Sequence, residues 1–189
     1  GIRVLDWTQF QAGPVAGMLL GDLGADVIKI EERTGGDLGR GVVATGGKEF
    51  AAVARNPYFE IGNRNKRSVT LDLRKEEGRD IMYRLAEKSD VFLHNFRQKA
   101  VEQLGLQYEV MSRLNPRLVY AQVSGWGPKG PDKDDPGFDP AALGRSGVWS
   151  LITEPGRDFQ WPQGGYADQM GAFTAAYGIL AALIAREKT

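Results

Sequence analysis

A chain of 189 residues, 42% hydrophobic and 10% aromatic, is long enough for one domain with a sizeable core. Its 24 basic and 24 acidic residues balance to zero net charge, which excludes the basic surface that a general nucleic-acid binder needs. With no cysteine and one histidine, the chain offers no disulfide, thiolate metal site, cysteine nucleophile or histidine-rich metal centre.

Residues 2–7 read as a short apolar strand. Ala12-Gly13-Pro14 is a turn with Pro near a helix start. Residues 15–23 are apolar on most sides, which predicts a largely buried helix ended by Gly24. Residues 25–31 form a second strand, and this strand–helix–strand unit fits a right-handed parallel crossover. Residues 34–60 are Gly-rich and read as a long irregular loop or lid. A third strand is expected over 68–73, then an amphipathic helix over 76–88 with Ile81, Leu85 and Ala86 inward. A fourth strand covers 90–96, short helices 100–104 and 108–114, and a fifth strand 118–123. Residues 125–137 are loop, rich in Gly, Pro and Asp, and 140–146 read as a helix. Residues 169–187 place Phe173, Ala176, Tyr177, Leu180, Leu183 and Ile184 at helical spacing.

Alternating apolar strands and helices predict an α/β fold, an open parallel sheet with helices on both faces. No apolar run of about 18 residues is free of charge, so no membrane span is expected. No signal peptide is read at the start, and the lack of disulfides fits a cytoplasmic setting. The chain starts without Met and ends without a turn signal, so it reads as part of a longer polypeptide.

Asp168 follows the Gly164-Gly165 bend at the start of the last helix. Aspartate is a preferred helix cap, and that role alone fits it. A carboxylate held ionised by the helix N-terminus and placed to attack a carbonyl fits it as well. Ligands of open parallel sheets bind beyond the carboxyl ends of the strands. The segments there are Gln11-Ala12-Gly13-Pro14, Glu31-Glu32-Arg33, residues 71–74, Asn95-Phe96-Arg97 and Ser124-Gly125-Trp126-Gly127. Their amides, guanidinium groups and aromatics suit a nucleotide-like anion. The first loop lacks Gly-x-Gly-x-x-Gly, and no Gly-Lys-Ser/Thr phosphate loop occurs, which argues against a conventional dinucleotide or nucleoside-triphosphate site.

Several of these segments recur together in one family. Arg3-Val4-Leu5-Asp6, Gln11-Ala12-Gly13-Pro14, residues 23–31, Asn65-Lys66-Arg67-Ser68, Leu71-Asp72-Leu73, Asn95-Phe96, Leu114-Asn115-Pro116-Arg117, Ser124-Gly125 and Ala167-Asp168 stand in order along the chain. As a set they resemble the class III coenzyme A transferases of the CaiB/BaiF type, the group that includes formyl-CoA:oxalate transferase. The resemblance implies that residues 1–189 are the N-terminal part of the Rossmann-like, CoA-binding large domain. The smaller domain and C-terminal part of the longer family chain are absent. It also implies an interlocked homodimer, acyl-CoA and carboxylic acid substrates, no metal and no tightly bound cofactor.

The same resemblance assigns Asp168 as the nucleophile. Its carboxylate attacks the thioester to give an aspartyl anhydride, and the CoA thiolate returns to give an enzyme thioester. The acceptor acid completes the exchange through a second anhydride. Gln11 and the N–H groups near Ala12 are implied as oxyanion donors. CoA contacts map onto Gln11, Ala12, Leu71, Arg74, Asn95, Phe96 and Leu104, with Arg33 replacing the family's Arg at position 32, and with Arg40 also on the Gly-rich loop. Phe138 stands where oxalate-specific members carry Tyr. With Trp126, Trp149, Phe159 and Trp161 it points to an apolar, aromatic acyl group.

Two alternatives stand beside this. The related 2-methylacyl-CoA racemases use a histidine where this chain has Phe138, and phenylalanine cannot take a proton. His94 reads as a packed strand residue. The third reading is a non-catalytic CoA-binding fragment.

Overall fold

The computed structural model describes residues 1–45, 48–49, 55–158 and 164–188. Its strands are β1 (Arg3–Trp7), β2 (Asp26–Glu32), β3 (Ala44–Thr45), β4 (Lys48–Glu49), β5 (Lys66–Leu71), β6 (Val91–His94) and β7 (Val119–Gln122). Its helices are α1 (Ala12–Asp22), α2 (Pro57–Asn63), α3 (Glu76–Ala86), α4 (Gln98–Gln103), α5 (Tyr108–Leu114), α6 (Asp139–Arg145), α7 (Val148–Ile152) and α8 (Tyr166–Arg186). Five strands form one parallel sheet in the order β5-β2-β1-β6-β7.

Strand residues alternate between two cores, because successive side chains leave opposite faces of a strand. Leu5, Ile28 and Phe92 join Met82, Val101 and Met111 from α3, α4 and α5. Val4, Val27, Val91 and Leu93 join Val15 and Met18 of α1 and Ala172, Ile179 and Leu183 of α8. The expected two-sided α/β sheet is therefore the observed fold. The chain leaves β1 toward one edge and returns at β6 toward the other. That reversal opens a crevice at the carboxyl ends of β1 and β6, where ligands of such sheets bind.

Several boundaries differ from expectation. Strand β5 lies two residues earlier, because Asp72 turns the chain through a Lys75 N–H to Asp72 carbonyl bond. The stretch expected to be irregular over 34–60 contains a 3-10 turn at Leu38–Gly41, the β3–β4 pair and α2. Helix α2 has a strong start: Asn56 accepts from the N–H groups of Tyr58 and Phe59, and Pro57 opens the first turn. Helix α7 was hidden in the aromatic stretch that begins near Trp149. Helix α8 is long and apolar enough, by length and composition, to cross a membrane, against the expectation of no such segment. One of its faces is packed on the sheet and α1, through Ala172, Ala176, Ile179 and Leu183.

Candidate active site

The loop from Thr8 to Gln11 leaves β1 at the crevice and is pinned at almost every residue. Lys29 Nζ donates to the Thr8 carbonyl at 2.9 Å and pairs with Asp37 at 2.7 Å. Asp37 Oδ1 accepts from the Phe10 N–H at 3.0 Å. Asn95 accepts from the Gln9 N–H at 2.9 Å and donates to the Gln9 carbonyl at 2.8 Å. Lys66 reaches the Pro14 carbonyl and pairs with Asp6, while Thr8 donates to the other Asp6 oxygen. Burial pulls Lys66 down, opposed by the Asp6 charge. Phe10 has φ 63°, a left-handed conformation that costs a bulky residue energy and persists only where its surroundings enforce it. The result is a rigid, preorganised platform that ends in Gln11 and the first turn of α1. Ala12 opens that turn, whose N–H groups lack helical acceptors.

Asp168 is the third residue of α8. Gly164 and Gly165 precede it with φ 86° and 70°, a bend that side chains resist. A Cβ on Gly165 would run into the Gln11 amide. Gln11 Nε2 donates to the Gly164 carbonyl at 2.7 Å, and Gln11 Oε1 accepts from the Tyr58 hydroxyl at 3.2 Å. That bond sets which end of the amide faces the bend, and the second Nε2 hydrogen stays available for a substrate oxygen. The Asp168 N–H donates to Asp139 Oδ1 at 2.9 Å.

A helix N-terminus alone would hold Asp168 low, yet burial, followed by the Asp139 charge, pushes it up to about 6. At pH 7 it is still ionised by about ten to one, and more basic than an ordinary carboxylate. Tyr58 is raised to about 12 by burial and then by Asp168, Asp37 and Asp139, so its hydroxyl keeps its proton and acts as a donor.

Two cavities meet at this platform and share Gln9 and Phe96. The larger, about 550 Å3, is lined by Gln11, Ala12, Trp126, Phe138, Asp139 and Asp168 among others. The smaller, about 330 Å3, is lined by Leu71, Arg74, Phe96 and Leu104, four of the residues that the resemblance assigned to CoA, together with Trp7 and Gly36. Arg74 is exposed and bonded to Asp72, with Nε to Oδ1 at 2.8 Å.

The remaining expected contacts fare differently. Asn95 lines the larger cavity, but both ends of its amide are spent on the Gln9 backbone. These two bonds hold the loop in place. Arg33 is exposed and lines neither cavity. Arg40 is held bidentate by Glu31 at 2.7 and 2.8 Å and stacks 3.6 Å over Phe59, so it is an anchor rather than a free phosphate ligand. Burial would raise Glu31, but Arg40, Ser68 and the Asp37 N–H outweigh it and bring it to about 2. His94 is sealed among Trp7, Phe92 and Tyr120, and burial takes it down to about 4, so it stays neutral. Among the aromatics, Trp126 and Phe138 line the larger cavity, Trp149 does not, and Phe159 and Trp161 lie outside the described residues.

Sequence reasoning missed Tyr58, Asp139 and the Lys29–Asp37 and Lys66–Asp6 pairs. Tyr58 sat in the stretch taken as loop. The Asn56-Pro57 cap signal was available and would have placed it on a helix.

Comparison with known proteins gives the family and the fold. The sequence matches the CoA-transferase family III model over residues 1–189. It is 36% identical over 192 residues to (R)-2-hydroxy-4-methylpentanoate CoA-transferase of Clostridioides difficile, covering 100% of this chain and 47% of that protein. It is 38% identical over 186 residues to succinate–glutarate CoA-transferase of Agrobacterium fabrum, covering 96% of this chain and 45% of that one. A CaiB/BaiF family protein from Brucella suis has the same fold, with TM-score 0.90 and 37% identity over 100% of this chain and 49% of its own. The chain spans about half the length of the curated relatives it matches.

Proposed function

The chain belongs to CoA-transferase family III, and from that premise we propose that the protein moves coenzyme A from an acyl-CoA thioester to a free carboxylic acid, with Asp168 as the acyl carrier. The observation that carries this reading is the placement of Asp168 and Gln11 on one cavity, joined through Gln9 and Phe96 to the cavity that holds Leu71, Arg74 and Leu104. The adenine nucleotide occupies the smaller cavity, and the pantetheine arm passes Phe96. The thioester carbonyl then sits between the Asp168 carboxylate and the donors of Gln11 and the α1 first turn.

Asp168 attacks that carbonyl, the C–S bond breaks, and the thiolate leaves with the electron pair. Gln11 Nε2 and the Ala12 N–H take up the oxyanion charge. The thiolate then attacks the aspartyl carbonyl, leaving Asp168 as a CoA thioester and freeing the donor acid. An acceptor carboxylate reverses the sequence. No general base is required, because both nucleophiles are already anionic.

Exposed Phe138 and half-buried Trp126 on the cavity favour an apolar or aromatic acyl group. One relative, cinnamoyl-CoA:phenyllactate CoA-transferase of Clostridium sporogenes, is 36% identical. We also propose a homodimer, argued below from α8.

The test uses the full-length protein. Incubation with acyl-CoA and hydroxylamine converts one residue, Asp168, to its hydroxamate, read by peptide mass. Asp168→Ala loses transfer by at least a thousandfold, on the order of what removal of a covalent nucleophile costs. Full activity in that variant sinks the mechanism. Rapid α-deuterium uptake from deuterated water without an acceptor acid would mark a racemase instead.

A further inference from the structure

We propose that Asp139 is a positioning residue for Asp168: it caps the start of α8 from outside the helix and holds a fixed negative charge beside the carboxylate, so that conversion of Asp168 to uncharged acyl derivatives is favoured. The inference rests on the transferase reading.

Helix α8 begins after Gly165, which has no side chain to accept from the first-turn N–H groups. Asp139, the first residue of α6, supplies the missing acceptor at 2.9 Å from the Asp168 nitrogen. The bond joins residues 29 apart in sequence, so the nucleophile's backbone is tied to a second element. Asp139 is 9% exposed, and its carboxylate lies where water screens little.

A neutral Asn or Ser would cap equally well. The charge is the additional feature. The Asp168 charge is felt by Tyr58 of α2, and Asp168 shares its cavity with the uncharged Gln11. Arg97, Lys133 and Asp135 line the same cavity, but the local balance on Asp168 is set by burial and then Asp139. Two like charges held together raise the free energy of the resting site. When Asp168 attacks a thioester, its carboxylate oxygen bonds to the acyl carbon and the C–S bond breaks. The negative charge leaves with the CoA sulfur, and the repulsion from Asp139 goes with it. The same holds for the aspartyl-CoA thioester. The electrostatic cost thus falls on the free carboxylate and not on the covalent states.

The experiment follows the Asp168 carboxyl by 13C NMR titration, alongside the fraction of protein carrying the covalent adduct by intact mass. Both are read in the wild type, Asp139→Asn and Asp139→Ala, each as full-length protein. An Asn amide oxygen still accepts the Asp168 N–H, so Asp139→Asn isolates the charge. The expected result is a lower Asp168 midpoint in Asp139→Asn, short of the ordinary carboxylate value because burial remains, and adduct occupancy reduced severalfold. Asp139→Ala shows the same electrostatic change together with lower thermal stability from the lost cap. An Asp139→Asn protein with wild-type midpoint and wild-type occupancy overturns the proposal, whether or not Asp139→Ala folds. Absence of any adduct in the wild type, with Asp168→Ala active, overturns the role of Asp168 as acyl carrier instead, and the NMR midpoint still reports whether Asp139 acts on Asp168.

Discussion

Asp168 shows how a functional residue trades stability for reactivity. Its pKa is raised to about 6 in the fold, chiefly by burial, so folding takes up a proton between about 6 and the ordinary value of 3.8. Stability from this group therefore rises as pH falls through that window and is lost above it. Replacing the carboxylate by a neutral isostere removes the penalty. Asp168→Asn should stabilise the protein by about 1 to 2 kcal/mol at pH 7, less at pH 5, discounted for the partial exposure of the group. Thermal unfolding at the two pH values checks this, and an unchanged or lowered Tm at pH 7 refutes it. The position of Asp168 was legible because a Gly-Gly bend ahead of an apolar helical period has few other meanings. Its charge state was not, because Asp139 meets it only through tertiary structure. Tyr58 and Gln11 are likewise 47 residues apart. Leu71, Phe96 and Leu104 were legible as strand-end and loop positions. Asn95 was legible as a strand-end position, but its bonds to the Gln9 backbone were not, since the two residues lie 86 apart.

At the scale of elements, the β1–α1 loop is bonded at each of its residues from Thr8 to Gln11, and its constraint comes from below. Period and composition revealed the sheet, since alternating apolar runs can bury only in that way. They were silent on the buried ions, because Lys29 and Lys66 look like ordinary polar strand residues. Lys29 and Asp37 are nearly fully buried, and each also bonds the loop backbone. Removing one partner of such a pair leaves a charge without its counter-ion. Lys29→Met should therefore cost about 3 to 5 kcal/mol. Adding Asp37→Asn keeps the acceptor for the Phe10 N–H while removing the orphaned charge, and should recover part of the loss. Urea midpoints of the two variants test this. A single variant within about 1 kcal/mol of the wild type would mean that the pair is not structurally important.

The whole molecule is a two-sided sheet whose covering is uneven. Only Ala172, Ala176, Ile179 and Leu183 of α8 are buried, although the helix runs for 21 residues. Met170, Phe173, Tyr177 and Ile184 are exposed. Their spacings of three, four and seven residues put them in one stripe along the helix, the spacing of a helix–helix seam. Aromatic and aliphatic side chains in such a stripe lose free energy to water unless something covers them. A second α8 offers the matching surface, because a two-fold axis places like stripes against each other. The stripe begins two residues from Asp168, so assembly and active site share one element. The proposed homodimer therefore has α8 at or beside its seam. Phe173→Glu with Tyr177→Glu buries charge at that seam without touching the buried face of the helix. Sedimentation velocity of the full-length variant at micromolar concentration should show monomer where the wild type shows dimer, with the far-ultraviolet circular dichroism unchanged. A variant that remains dimeric would place the seam elsewhere, and a wild type that is a stable monomer would remove the homodimer altogether.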